Sequence, residues 1–233
     1  MSNIFKTCGV IGGMGPSATA DLFQKIIKIT AADSDQEHVP LIIHNNPQIP
    51  DRTAAILRGG QSPVDQLVFS AKLLENAGAD FLAMPCNTAH YFIEDIQKSV
   101  NIPILNMIAL TSEELLNLNV KKPTVLATSG TVKTKLYENA LKKKGLSCNL
   151  PSEEQQEMVD RLIYAVKAGK KDYDITPFKD MLNKLSEGGD NLFILGCTEL
   201  PVAFDWFDIQ NKFIDPTMVL AKNIALNSGA KLV

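Results

Sequence analysis

A pattern written twice restricts what this chain can fold into more than any other feature. Glu75-Asn-Ala-Gly-Ala-Asp-Phe-Leu-Ala-Met-Pro-Cys86 and Ser186-Glu-Gly-Gly-Asp-Asn-Leu-Phe-Ile-Leu-Gly-Cys197 stand at an offset of 197 − 86 = 111. Each reads as a helix end, a glycine turn, a four-residue apolar strand, one small or rigid residue, and then a cysteine. A second pair keeps the same order along the chain. Val10-Ile-Gly-Gly-Met-Gly15 aligns with Val125-Leu-Ala-Thr-Ser-Gly130 at an offset of 125 − 10 = 115, and a helical pattern follows each. Two copies of one unit are therefore expected.

The periodicity says what that unit is. Short apolar runs alternate with amphipathic segments, and the spacing predicts strands at Thr7–Ile11, Leu41–His44, Phe81–Met84, Ile104–Asn106, Thr124–Ala127 and Leu192–Leu195. Helices are predicted at Ser17–Thr30, Val64–Asn76, His90–Ser99, Ile108–Leu118, Val132–Lys144 and Pro216–Asn227. A further helix opens at Ser152 on a capping box with Gln155 and ends near Lys167. Pro177 suits the first turn of another. Asn45 to Ser62 reads as a long loop. Such alternation means parallel sheets covered by helices on both faces, with ligands at the carboxyl ends of the strands. The fold class expected is α/β: two pseudo-symmetric three-layer domains with mainly parallel sheets and an active site in the interdomain cleft. The first domain takes residues 1–103 plus 214–233, and the second residues 104–213.

Composition removes several classes of function. The 233 residues are 45% hydrophobic and 21% charged, ordinary for a globular protein. A formal net charge of −3 gives no basic excess for nucleic acid. No apolar run approaches the roughly 18 residues needed to cross a bilayer, and Met1–Thr7 lacks the features of a signal peptide. A cytoplasmic protein with no membrane partner is expected. Its four cysteines (Cys8, Cys86, Cys148, Cys197) are then free thiols. No C-x-x-C or H-x-x-x-H spacing is present, so no metal site is expected.

Cys86 and Cys197 each follow an apolar strand directly, which places each at a strand's carboxyl end. Two thiols at equivalent positions of a duplicated unit suit the removal of a proton from one face of a carbon and the return of one to the other face. A thiol ionises near enough to neutrality to be tuned, and the backbone N–H groups of the turns opening at Asn87 and Thr198 favour a thiolate or hold a carboxylate. Taken singly, a cysteine at a strand end is a small buried hydrophobe, and Cys8 and Cys148 are read so. Gly13-x-Gly15-x-x-Ala18 fits a dinucleotide fingerprint, but the second strand runs into His44-Asn45-Asn46 where that motif expects an acid. The glycines are read instead as allowing a small ligand close to the backbone. Thr128-Ser129-Gly130-Thr131 occupies the equivalent place in the second unit. Its hydroxyls and N–H groups suit an α-carboxylate, or equally plain helix capping. By position alone, Arg52 is a surface arginine and Lys167 a cation at a helix C-terminus.

With these residues in view, the chain resembles the aspartate/glutamate racemase superfamily, most closely its aspartate branch. The matching motifs are Gly12-Gly-Met-Gly-Pro16, Pro50-Asp-Arg52-Thr, Pro85-Cys-Asn-Thr-Ala-His90, Thr128-Ser-Gly-Thr131 and Gly196-Cys-Thr-Glu-Leu-Pro201. Cys197-Thr-Glu199, where glutamate racemases typically read Cys-Thr-His, and His90 closing the first cysteine motif carry the likeness to the aspartate branch. The resemblance implies a racemase with neither pyridoxal phosphate nor metal, a homodimer, and an acidic amino acid as substrate. It assigns Cys86 and Cys197 as the catalytic pair, Arg52 and Lys167 as carboxylate anchors, and Asn87, Thr88, Thr128, Thr131 and Thr198 around the α-carboxylate and amine. Met14, Ser129, Gly130 and Glu199 complete the expected substrate-binding set. The competing readings are a glutamate or broad-specificity racemase of the same fold, and a two-lobed acidic amino-acid binding protein without catalysis.

Overall fold

The computed structural model describes residues 5–187 and 191–233. The glycine turn expected around residues 188–190 lies outside them, as do residues 1–4 of the N-terminal segment. The chain divides into two compact units. One contains the residues up to Leu110 together with Thr217–Val233, the other Thr111–Pro216.

In the first unit β1 (Cys8–Gly12) lies between β2 (Leu41–Asn45) and β3 (Phe81–Ala83), all parallel. Every residue of β1 is buried, as a central parallel strand covered on both faces requires. Its side chains alternate between two apolar clusters. Cys8 and Val10 join Leu22 and Ile26 of the Pro16–Ile29 helix and Leu220 and Ile224 of the Pro216–Ser228 helix. Ile11 joins Leu67 and Leu74 of the Val64–Asn76 helix, with Met84 and Ile96. Those two clusters are the two faces of a three-layer sandwich.

The second unit orders β4 (Thr124–Ala127), β5 (Phe193–Gly196) and β6 (Phe213–Ile214), again parallel. One face packs Leu126, Phe193 and Leu195 against Val159, Leu162 and Ile163 of the Glu153–Lys167 helix and Phe178, Met181 and Leu182 of the Thr176–Ser186 helix. The alternate residues Val125 and Ile194 are buried as well. The capping box at Ser152 and Gln155 forms as the sequence reads, and Pro177 sits in the first turn of its helix.

The duplication is visible in hydrogen-bond register. Gly9 pairs with Ile42 and Leu82, and Leu82 with Ile104, giving the row Ile42–Gly9–Leu82–Ile104. Thr124 pairs with Asn149 and Phe193, and Phe193 with Phe213, giving Asn149–Thr124–Phe193–Phe213. The offsets between Leu82 and Phe193 (193 − 82 = 111) and between Gly9 and Thr124 (124 − 9 = 115) are those of the sequence repeat. The repeat is therefore structural in its central strands, β1 matching β4 and β3 matching β5, while each outer position is a strand in one unit and an isolated bridge in the other.

Three local expectations are corrected. The span Asn45 to Ser62 is not one loop: Arg52–Arg58 is helical, opened by the Asp51 carboxylate accepting from the Ala54 N–H at 2.6 Å and closed by Gly59 in the left-handed conformation. The helix expected at Val132–Lys144 is two, Ser129–Lys133 and Leu136–Lys143, broken where Lys135 takes a φ of 55°. The one expected at His90–Ser99 begins as a tight 3₁₀ turn, Thr88–Phe92, before the α-helix Ile93–Gln97.

Candidate active site

Each unit carries half of the expected site. Cys86 lies four residues beyond Leu82 and Cys197 four beyond Phe193, so the two thiols hold the same position past matched strands. Both are buried, at 6% and 7% exposure.

In the first half-site the chain turns sharply after β3, with the Cys86 N–H donating to the Met84 carbonyl at 2.8 Å. Asn87 and Thr88 are buried in the turn that follows. His90 fastens it. Its Nε2 accepts from the Met107 N–H at 3.1 Å, so Nδ1 carries the proton and donates to the Cys86 carbonyl at 2.8 Å. Burial, opposed by the Cys86 carbonyl, lowers the His90 pKa to about 4, and the ring is neutral at pH 7. His90 is thus a clamp on the cysteine's backbone. Met14 is buried in the same apolar cluster as Cys86. Arg52 occupies the first turn of its helix, which packs against the Thr88–Phe92 turn. It is half-buried, and its Nη1 donates to the carbonyls of Ile49 (3.1 Å) and Pro50 (3.0 Å). Its Nε is buried with no protein partner among the described residues. The guanidinium is thus anchored to the backbone through Nη1, with Nε unspent.

The glycine motif behaves differently from its reading in the sequence. A Cβ on Gly13, whose φ is +98°, would stand 2.3 Å from the Asn46 backbone, and one on Gly12 would stand 2.6 Å from Thr19. These glycines admit the protein's own neighbouring segments, and that packing, rather than a ligand, requires them.

In the second half-site Ala127 and Gly196 are paired at the ends of β4 and β5, so Thr128 and Cys197 are the next residues of adjacent strands. Thr128 caps the Ser129–Lys133 helix by accepting from the Thr131 N–H, and its hydroxyl lies 3.1 Å from that of Thr131. The Ser129 N–H (3.1 Å) and hydroxyl are both taken by Asp160, and Gly130 gives its carbonyl to Thr134. Gln156 donates to the Ala127 carbonyl at 2.8 Å and to Asp160 at 3.3 Å. Asp160 and Gln156 were not among the residues expected from sequence. A signal existed: Gln156, Asp160 and Lys167 fall at i, i+4 and i+11 of one helix, hence on one face. Lys167 is exposed at that helix's end, and its charge reaches Cys197. The Cys197 thiol donates to Glu199 Oε2 at 3.0 Å, and the Thr198 hydroxyl to the same oxygen at 3.2 Å. Burial and then the Glu199 carboxylate push the Cys197 thiol up, and Lys167 opposes them. Away from both half-sites, burial pushes Cys8 far up, and burial aided by Glu138 pushes Cys148 to about 11. Among the described residues no group of three or more His, Cys, Asp or Glu could hold a metal ion, and no helix is long and apolar enough to cross a membrane.

A duplicated parallel α/β unit with a cysteine past the same strand of each copy defines the class to which this chain is to be compared. The Asp/Glu/hydantoin racemase family profile matches residues 11–224. The chain belongs to that family and is an isomerase of the amino-acid racemase class. It is similar to the aspartate racemase of Picrophilus torridus, with 31% identity, a TM-score of 0.87, and 98% of this chain and 96% of that one covered. It is similar also to an aspartate racemase homologue from Pyrococcus horikoshii OT3, at 29% identity and a TM-score of 0.74, covering 96% of this chain and 99% of that one. The broad specificity amino-acid racemase RacX of Bacillus subtilis (strain 168) is 28% identical over 228 residues, 92% of this chain and 95% of its own length.

Proposed function

We propose that this chain interconverts L- and D-aspartate by α-proton transfer between Cys86 and Cys197, with no cofactor. The observation that carries the reading is the matched register: two buried thiols four residues past equivalent strands of a duplicated fold. In the reaction one thiolate takes the α-proton, its S–H bond forming as the Cα–H bond breaks. The electron pair left on carbon delocalises into the α-carboxylate, and the other thiol gives its proton to the opposite face. Without a cofactor to spread that charge, preorganised donors must hold it. We assign Asn87, Thr88, Thr128, Thr131 and Thr198 to the surroundings of the α-carboxylate and amine; the Thr131 N–H, now on the Thr128 hydroxyl, and the Thr198 hydroxyl, now on Glu199, would exchange those partners for substrate. Met14 and Gly130 are assigned to the substrate's surroundings by the family motifs, and Ser129, through Asp160, keeps the second turn in shape. Arg52 and Lys167 are two cations for the two carboxylates of an acidic amino acid, which favours aspartate over neutral substrates. The likeness to the Picrophilus aspartate racemase supports the same choice.

A second reading, broad specificity, is favoured by the full-length likeness to RacX. A chiral assay across aspartate, glutamate and neutral amino acids, without added cofactor, separates the two. Aspartate is expected to turn over about ten-fold or more faster than any neutral amino acid, since a hydrogen bond between charged groups contributes about 1.5–3 kcal/mol. Equal rates across neutral side chains would establish the broad reading. No interconversion of any amino acid would remove both.

A further inference from the structure

The end of β5 rests on a buried ring. A Cβ on Gly196 would stand 2.9 Å from Tyr137 Cε2 and 3.0 Å from the Cβ of Ala127, its partner on β4. Tyr137 therefore fills the space that a side chain at Gly196 would need. It is 2% exposed and among the largest fully buried side chains. It lies in the first turn of the Leu136–Lys143 helix, just after the break at Lys135. Gly196 directly precedes Cys197, so the ring meets the backbone one peptide from the thiol.

The hydroxyl end of the ring is tied elsewhere. It hydrogen-bonds the side chain of Thr111, fully buried in the Met107–Asn117 helix, and the charge of Asp215, just past β6, acts on it. Thr111 opens the second unit, and Asp215 stands one residue from its end. The phenol thus reaches from where the chain enters and leaves the unit to the strand end that carries Cys197. Burial, with the charges of Asp215 and Cys197, holds it protonated against the bond to Thr111, so it is not a base for the reaction. A buried phenol whose hydroxyl is bonded is a fixed strut. We infer that Tyr137 is a positioning residue: held at its hydroxyl by Thr111, its ring sets the place of Gly196 and so aims the sulfur of Cys197 at the α-carbon. The inference rests on the two-thiol reading above. Proton transfer depends steeply on such placement, and an error of about 1 Å can cost on the order of 10²-fold in rate.

The test is a mutant cycle on the Tyr137–Thr111 bond, with kcat and KM for L-aspartate measured on folded protein. Tyr137→Phe keeps the ring and deletes the hydroxyl. Thr111→Val keeps the shape and deletes the partner, and Thr111→Ser keeps the hydroxyl. Tyr137→Phe and Thr111→Val should each lower kcat about ten-fold with KM little changed, and the double variant should be no slower than either, since both remove one bond. Thr111→Ser should match the wild type. Iodoacetamide labelling, read by peptide mass spectrometry, should quicken at Cys197 in the two slow variants and stay constant at Cys86. An unchanged kcat in Tyr137→Phe overturns the proposal, because a phenol that only supports the fold would lower Tm alone. A loss confined to KM, effects that multiply in the double variant, a Thr111→Ser as slow as Thr111→Val, or labelling unmoved at Cys197 overturns it as well. Any of these beside an active wild type removes only the role of Tyr137. A wild-type protein that racemises no amino acid removes the two-thiol reading with it.

Discussion

Cys86→Ala and Cys197→Ala are each expected to lower racemisation by about 10²–10⁴-fold while leaving the fold intact. The size of the effect follows from the symmetry of the reaction. Inversion needs a base on one face of the carbon and an acid on the other, and a single positioned proton-transfer group contributes roughly 10²–10⁴ in rate. Removing either thiol leaves one face without a partner, so the remaining cysteine cannot compensate. The fold should tolerate the change, because Ala keeps Cβ and deletes one sulfur from sites that are 6% and 7% exposed, costing on the order of 1–2 kcal/mol. Circular dichroism and a thermal melt establish the fold, and the chiral assay reads the loss. Near-normal turnover in either folded variant would mean that the cysteine is a packing residue and that another group moves the proton.

Gly13→Ala should be the most damaging single substitution in the scaffold of the first half-site. Two effects combine there. The φ of +98° lies where L side chains are strained, and the new Cβ would meet the carbonyl carbon and oxygen of Asn46, each at 2.3 Å. Those atoms are backbone and cannot swing aside, and the Asn46 N–H is held by the Gly12 carbonyl at 3.2 Å. A loss of about 3 kcal/mol or more is expected, which for a chain of this size lowers Tm by roughly 6–12 °C or prevents folding. Gly59→Ala is the control, with a φ of +62° and no atom within 4 Å, so only the modest cost of the left-handed conformation, about 1 kcal/mol, applies. Equal melting shifts for the two variants would show that the Gly13–Asn46 contact does not constrain the fold.

The contrast between those two glycines illustrates what the sequence could and could not say. The duplicated strand–cysteine pattern was legible because each strand buries a run of apolar residues and ends on a marked residue, and the register reproduces the repeat. Long amphipathic helices such as Val64–Asn76 were legible for the same reason. The Arg52–Arg58 helix was not. It has seven residues and buries Thr53 alone, so no apolar stripe announces it, and the flanking Pro47 and Pro50 suggest irregular chain. Only the Asp51 cap marks it locally. The break at Lys135 carries no Gly or Pro, and the two-residue strand Phe213–Ile214 is too short to alternate. In the site, the cysteines and Arg52 could be named from motifs. The engagement of Ser129 by Asp160 could not, since those residues are 31 positions apart and the contact is made by the tertiary fold. The direction of the Glu199 carboxylate, back onto its neighbouring thiol, is likewise a matter of rotamer rather than of composition.

The central claim is that two different groups exchange protons with opposite faces of one α-carbon. Its most direct test is racemisation of L-aspartate by the wild-type enzyme in deuterated water, with the α-position of both enantiomers analysed early in the reaction. The account predicts deuterium at the α-carbon of nearly every D-aspartate formed, while the L-aspartate that remains keeps its protium. D-aspartate carrying the original α-proton would contradict it, because one group would then have removed the proton and returned it.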